Sequence, residues 1–307
     1  ITHKLREVQG FADEVSVLRA GRRVGGGPVE GMSRADLVRL MIGAARIPVP
    51  APAVAPPRPE PALELIGLTA LNDKAVTALR DVSLSVRGGE IVGVAGVSGN
   101  GQRELVEVLA AQREAEAGEI RVGGTPYRPT RSEMRRRRVF LLMEEPLRNA
   151  CVRGMSVSEN LAFRNFDEPP NARGGWLVSR RALRAQARAL IERFRIRTPG
   201  PDAPLETLSG GNVQRAVLAR ELSGEVAVLV AQNPCAGLDI AATAEIRSRI
   251  ATVRNASAAV LLISEDLDEL LELADRIVVM FEGRLVYETP REHADLHTIG
   301  HHMASHP

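Results

Sequence analysis

Cysteine, an excess of one charge sign and long apolar runs are all scarce in this chain of 307 residues. Each shortage removes a class of protein. The two cysteines, Cys151 and Cys235, cannot make a disulfide framework, suit a reducing compartment and match no metal-site spacing. Both read as packing residues. Forty Lys and Arg nearly balance 38 Asp and Glu, and the formal charge of +2 leaves no general footprint for nucleic acid. The local run Arg135 to Arg138 reads as a solvated helix or strand edge. No apolar stretch approaches the about 18 residues that a membrane span needs. The opening Ile1-Thr2-His3 shows neither the basic n-region nor the apolar h-region of a signal peptide. A soluble or peripheral protein is expected, and the missing initial Met places the expected start upstream. What is present is 44% hydrophobic residues over a length that suits one large or two modest domains.

The chain repeats itself. Residues 1 to 24 align without gaps on residues 263 to 286. The identities are Ile1/Ile263, Leu5/Leu267, Glu7/Glu269, Ala12/Ala274, Asp13/Asp275, Val17/Val279, Gly21/Gly283, Arg22/Arg284 and Val24/Val286. A separation that long is a whole domain plus a linker, not a solenoid repeat. The expected organisation is therefore the C-terminal remnant of one domain at residues 1–45, a linker at 46–61 and a second copy at 62–300. The linker carries IPVPAPAVAPPRPEP, whose prolines forbid helix and ladder and favour an extended spacer. Upstream, Ser33 caps an expected short helix with Leu37, Leu40 and Met41 on one face.

In the second copy, residues 63 to 87 alternate apolar and polar side chains as paired strands do. Ile91 to Ala95 reads as a buried strand, Gly96-Val-Ser98-Gly99-Asn-Gly101 as a turn, and Gln102 onward as a helix with Leu105, Val108 and Leu109 on one face. Strand, glycine turn and helix form a P-loop context, in which backbone N–H groups close around phosphate. By itself such a loop is equally a plain strand–helix turn. The P-loop pattern asks for Lys where Gln102 stands and for Ser or Thr where Arg103 stands. Gln102 brings no charge to a phosphate, so affinity is expected to fall. Further on, Leu208-Ser209-Gly210-Gly211-Asn212 opens a helix that Ser209 can cap, with glycines that let an anion approach. Val226 to Ala231 and Ala259 to Ile263 read as two more buried strands. The first runs into Gln232-Asn233 and Gly237-Leu238-Asp239, the second into Ser264-Glu265.

These segments, in this order, resemble the ATP-binding-cassette ATPases over about residues 62 to 290, with the tail of a first cassette before them. LSGGN at 208 to 212 is similar to the family signature, and Asp239 falls at its D-loop. More narrowly, GVSGNGQREL at 96 to 105 resembles the degenerate second P-loop of tandem subunits that serve importers of simple sugars and nucleosides. The wording of that stretch and of ISEDLDEL favours nucleosides. Glu144 falls near the Q-loop glutamine, and Met143 to Pro146 departs from the Pro-Glu-Asp-Arg of such relatives. The Walker B carboxylates map to Gln232 and Asn233, amides that neither hold Mg²⁺ nor act as general base. The switch histidine maps to Glu265, while His3, opposite it in the repeat, resembles the switch histidine of an intact first cassette. No aromatic stands between Leu68 and Val76 to stack adenine.

The resemblance implies an α/β fold: a P-loop NTPase cassette with a parallel core sheet, an antiparallel β subdomain and a helical insert including Arg181 to Leu190. Trp176 is expected to pack. It also implies that ATP, with Mg²⁺ mainly at the partner's site, is clamped between one cassette's P-loop and the other's signature. Ser209, Gly210 and Gly211 would serve ATP held by the first cassette, the degenerate loop (Gly96, Ser98, Gly99, Gly101, Gln102, Arg103) would not hydrolyse, and no metal set is intact here. Partners implied are the first cassette, membrane permease subunits contacted near Glu144 to Val157, and indirectly a substrate-binding protein, at the cytoplasmic membrane face. A non-hydrolysing regulatory cassette, a non-transport ABC ATPase and an inactive truncated product are the rival readings.

Overall fold

The computed structural model describes residues 2, 5–19, 21–43 and 49–304. The chain opens with α1 (Leu5–Phe11), the hairpin β1 (Glu14–Arg19) and β2 (Arg22–Pro28), and α2 (Arg34–Ile42). Ser33 caps α2 in a reciprocal box with Asp36: the Asp36 N–H donates to Ser33 Oγ at 3.2 Å and Ser33 N–H to Asp36 Oδ2 at 3.3 Å. Leu37 is its fully buried residue. Residues 49 to 60 hold no helix or strand. They lie along the main fold: Arg254 Nη2 donates to Ala51 O at 2.8 Å and Asn255 Nδ2 to Pro52 O at 2.9 Å.

From there β3 (Pro61–Leu71) and β4 (Thr77–Arg87) pair antiparallel, as their alternation demands. Next come β5 (Ile91–Ala95), α3 (Gln102–Leu109), β6 (Ala117–Val122), β7 (Thr125–Pro126), α4 (Arg131–Arg136) and β8 (Val139–Leu142). A helical region follows: α5 (Pro146–Asn149), α6 (Val157–Leu161), the small hairpin β9 (Ala172–Arg173) and β10 (Leu177–Val178), and α7 (Arg180–Arg193). The chain returns through α8 (Gly210–Glu221), β11 (Val228–Gln232), α9 (Ile240–Asn255), β12 (Ala259–Ile263) and α10 (Leu267–Leu273). It ends with β13 (Arg276–Phe281), β14 (Arg284–Pro290) and α11 (Leu296–Ala304).

Six strands form one sheet in the order β14-β13-β5-β12-β11-β8, parallel except for β14, and β4-β3-β6-β7 form an antiparallel sheet beside it. The central strands are buried on both faces, which explains their continuous apolar runs. Val92, Val94, Val228, Val230 and Leu261 pack toward the antiparallel sheet and α3, with Leu63, Leu79, Leu105 and Leu109. Ile91, Leu229 and Leu262 pack the other way, with Val217 and Leu218 of α8 and Ile246 and Ile250 of α9. Each such buried aliphatic side chain contributes about 1.5–3 kcal/mol.

The first four elements and the last four share their boundaries under the shift that carries Ile1 to Ile263: α1 onto α10, β1 onto β13, β2 onto β14 and α2 onto α11. Both hairpins slip register at matching places, Val17/Leu18 and Val279/Met280. Their surroundings differ. β13 pairs with β14 and also with β5, whereas among the described residues β1 pairs with β2 alone. Phe11 is 90% exposed and Leu18 66%, against 3% and 0% for their counterparts Leu273 and Met280.

Two expectations change. The strand expected from Val226 starts at Val228 and runs into Gln232. Trp176, expected to pack, is 79% exposed beside the β9–β10 hairpin, whose two-residue strands are too short to cover it. The arginine run at 135 to 138 lies, as expected, at an exposed helix edge, where Arg135 pairs with Glu168, Arg136 and Arg137 with Glu133, and Arg138 with Glu225. Cys151 and Cys235 are half-buried and free, with burial raising both thiols above their ordinary pKa.

Candidate nucleotide-binding site

Ligands of open α/β sheets bind beyond the carboxyl ends of the parallel strands. There β5 delivers Gly96 to Gly101, β8 delivers Glu144, β11 delivers Gln232 and Asn233, and β12 delivers Glu265. The loop after β5 turns on Gly99 (φ 90°) and Gly101 (φ 109°), a backbone that side-chained residues rarely adopt. Gly101 is also the N-cap of α3, and a Cβ on it would stand 2.7 Å from Ala78 O. Val97, Ser98 and Gly99 are exposed at the crest of the loop. Asn100 ties the loop to the β13–β14 turn, accepting at Oδ1 from Glu282 N–H and at its carbonyl from Gly283 N–H, both at 2.9 Å. Sequence reasoning did not single out Asn100. Its signal is the repeated Gly283, whose turn needs a partner.

Gln102 is only 7% exposed. Its Nε2 donates to Val97 O at 3.2 Å, so the side chain folds back across the loop. A Cβ at Gly96 would meet that Nε2 at 2.1 Å, and Gln102 Oε1 is buried without a hydrogen-bond partner among the described residues. Arg103 turns outward to Asp73 Oδ2 at 2.5 Å and Glu107 Oε1 at 3.0 Å.

Asn233 has φ 41°, a left-handed conformation that Asn tolerates better than most residues. Its Nδ2 donates to Glu144 Oε2 at 3.1 Å, and its Oδ1 accepts from Glu265 N–H at 3.0 Å. The positions that the resemblance assigns to the Q-loop, Walker B and switch are thus bonded through one amide. Gln232 is buried beside them.

On the helical side, Ser209 stands at the N-cap of α8, but its hydroxyl does not cap the backbone. It accepts instead from Asn212 Nδ2 at 2.8 Å, while Asn212 Oδ1 accepts from Arg197 N–H at 2.8 Å. Leu208 is buried just ahead of the cap, and a Cβ on Gly210 would meet nothing within 4 Å. Gln214 Nε2 donates to Pro234 O at 3.0 Å, joining α8 to the turn after β11. A cleft of about 580 Å³ runs between Gly210, Gln214, Glu144, Asn233 and Leu238. Asp239, expected at a nucleotide, is engaged as the N-cap of α9, its Oδ1 accepting from Ala242 N–H at 2.8 Å. His3 lies outside the described residues.

The donors at the metal positions do not suit Mg²⁺. A guanidinium stands in place of a hydroxyl and a carboxamide in place of the carboxylate that hard cations prefer. No step through the metal follows for this loop.

A family model described as ABC transporter matches residues 79–236. The chain belongs to the ABC transporter family. It is 42% identical over 309 residues to a glucose import ATP-binding protein, TsgD13, of Haloferax volcanii, covering 99% of this chain and 55% of that protein. It is 34% identical to a nucleoside import ATP-binding protein, NupA, of Lactococcus lactis subsp. cremoris, covering 93% and 56%. Against a ribose import ATP-binding protein, RbsA 1, of Rubrobacter xylanophilus the figures are 38%, 96% and 57%. The chain thus spans about half the length of these relatives. In fold it is similar to a dimeric ATP-binding cassette in a post-hydrolysis state bound to ADP and phosphate, at TM-score 0.62 and 18% identity over 75% of this chain and 98% of that one. A nucleotide-free cassette from an ABC transporter gives TM-score 0.62 at 20% identity over 75% and 92%. The expected fold is present throughout: parallel core sheet, antiparallel sheet and helical insert.

Proposed function

We propose that this chain is the part of an ABC importer's ATP-binding subunit that presents the LSGGN signature to ATP held by a partner cassette, while its own P-loop does not hydrolyse ATP. The observation that carries this reading is the contrast between its two helix N-termini. At α3 the lysine and hydroxyl positions hold Gln102 and Arg103, whose side chains are turned to intrachain partners. At α8 Ser209 and Gly210 are exposed and Gly210 leaves open space. The α8 N-terminus then offers backbone N–H groups and positive dipole potential to the partner's γ-phosphate. With Asn233 tied to Glu144 and Glu265, no carboxylate is free on β11 to polarise an attacking water.

Residues 1–45 are read as the end of the partner cassette, residues 46–61 as the linker and residues 62–300 as the second cassette. The shared boundaries of the two hairpin units, and the exposure of Phe11 and Leu18 where Leu273 and Met280 are buried, support that reading. His3 would then act at the partner's site. The cargo is proposed to be a simple sugar or a nucleoside. The relatives' names span glucose, nucleoside and ribose import, so they do not carry the lean toward nucleosides. Membrane permease subunits docking near Glu144 to Val157, a substrate-binding protein acting through them, and a peripheral place at the cytoplasmic membrane face complete the proposal. No described helix is long and apolar enough to cross a membrane.

The test is ATP hydrolysis with Mg²⁺ by this chain alone and then mixed with a separately expressed first cassette. The expected result is none alone and hydrolysis on mixing, lowered about 100-fold by Ser209→Glu. Robust hydrolysis by the chain alone, or mixing that is indifferent to Ser209→Glu, overturns the reading.

A further inference from the structure

The loop between β3 and β4 lies beside the P-loop helix, where a nucleotide base would be expected to enter. It is a tight turn: Asn72 N–H donates to Val76 O at 2.8 Å, and Asn72 Oδ1 accepts from Lys74 N–H at 2.9 Å and Val76 N–H at 3.1 Å. That turn presents Asp73. Each Asp73 carboxylate oxygen is held by a different arginine, Oδ2 by Arg103 Nη2 and Oδ1 by Arg113 Nη2, both at 2.5 Å. Arg113 also donates to Leu71 O at 2.6 Å and to Glu107 Oε2 at 2.8 Å, and Arg103 Nε reaches Glu107 Oε1 at 3.0 Å. Arg103 comes from the P-loop's metal-hydroxyl position, so this cluster ties the β3–β4 loop to the first turn of α3, with Arg113 reaching it from beyond the end of that helix. Two guanidiniums that grip one carboxylate by separate oxygens make a geometry that also suits a phosphate group.

The floor of the loop is filled as well. The Gln102 carboxamide lies against Gly96 and Val97, and its buried Oε1 points to no donor among the described residues. An orphaned buried acceptor costs free energy, which a water or a ligand donor would recover.

We propose that the Arg103 flank of this P-loop is latched by its own side chains, Asp73 standing on Arg103 and Arg113 as an internal anion, and that it admits a polyphosphate, without need of Mg²⁺, only when Asp73 is displaced. The proposal rests on the reading of Gly96 to Arg103 as a nucleotide loop. Arg103 and Asp73 are 55% and 69% exposed, so water and salt reach the latch and it can open, whereas Arg113 and Glu107, at 15% and 19%, stay in place as its base.

The test is calorimetric titration of the chain, in EDTA, with ATP and separately with inorganic pyrophosphate. The variants are Asp73→Asn, Asp73→Ala and Asp73→Asn with Arg103→Gln, each checked for an unchanged melting curve. Asp73→Asn and Asp73→Ala should bind both ligands about tenfold tighter than the parent, and adding Arg103→Gln should cancel the gain. Equal affinities for parent and Asp73 variants, strong or absent, overturn the latch. So does a gain for ATP without one for pyrophosphate. Because the titration is run without Mg²⁺ it reads no hydrolysis, so failure of the signature-donor reading would not be mistaken for failure of the latch.

Discussion

The two helices whose starts are candidates for nucleotide contact, α3 after the glycine loop and α8 after Ser209, are anchored by different kinds of charge. At α3 the ion pairs sit at the surface, with Arg103 and Asp73 both more than half exposed. The ion pairs of α8 are buried and lie at its far end from Ser209: Glu221, its last residue and 0% exposed, is gripped by Arg164 Nη2 and Arg220 Nε, both at 2.6 Å, and Arg220 continues to Ala150 O at 2.8 Å. Exposed pairs are worth little and exchange readily, whereas a buried pair is costly to break. On the proposed reading α8 is therefore a helix held firmly from its C-terminal end, and the flank of the P-loop carries a releasable catch.

The sharpest way to break that contrast is Glu221→Gln. It leaves two arginines in a half-buried pocket without their carboxylate and should lower stability by about 3–5 kcal/mol, measured by urea unfolding. A loss under about 1 kcal/mol would mean that α8 is held no more firmly than α3. A smaller effect is expected from Gln214→Leu, which removes the donor to Pro234 O and leaves that carbonyl unpaired. About 1–3 kcal/mol should be lost. If α8 is coupled to the turn after β11 through this bond, hydrogen exchange at Ala236 to Leu238 should also quicken. Smaller again, Asn233→Ala cuts both the Glu144 and the Glu265 bonds and puts Ala at φ 41°. The expected cost is about 1 kcal/mol, with faster exchange at the Glu265 amide. An unchanged Glu265 amide would show that the switch segment keeps its place without Asn233.

The same contrast explains what could be read in the residues beforehand. The glycine turn, the signature and the central strands follow from local rules, namely positive φ, helix starts and runs buried on both faces, so they appear in short windows. The repeat was legible because both copies keep nine identities in 24 residues, among them Gly21 and Gly283, although it did not show that each copy is a hairpin. Their surroundings were not: a Cβ on Gly283 would meet Ala78 O at 2.2 Å, while one on Gly21 would meet nothing within 4 Å. β8 escaped notice because four residues after an arginine run carry no period. Trp176 was misjudged because its hairpin is too short to show a face. Ser209 fits every rule for a cap, but Asn212 takes its hydroxyl, a competition between side chains that propensity does not register. The Asp73 latch was invisible because its members lie 30 and 40 positions apart in the chain. Its available signal was an arginine in the hydroxyl position of a P-loop, a cation in need of an acid.

The smallest expected effect concerns the conditions under which the catch lets go. Hydrogen bonds from Arg113 and then Arg103 hold the Asp73 carboxyl below its ordinary pKa. A depressed pKa means that the contribution is present above the unfolded value and is lost as pH falls through the folded one. Above about pH 5 the carboxylate is therefore fully charged and the latch should not respond to pH. Salt should act instead, because the Debye length shrinks from about 10 Å at 0.1 M to about 3 Å at 1 M, and the pair is exposed. Amide exchange at Asp73 to Val76 should rise modestly between those salt concentrations and stay level from pH 6 to 8 once corrected for intrinsic rates, while α8 amides near Glu221 should not respond. Salt-driven loosening of both regions alike would show that the buried and the exposed anchors do not differ in kind.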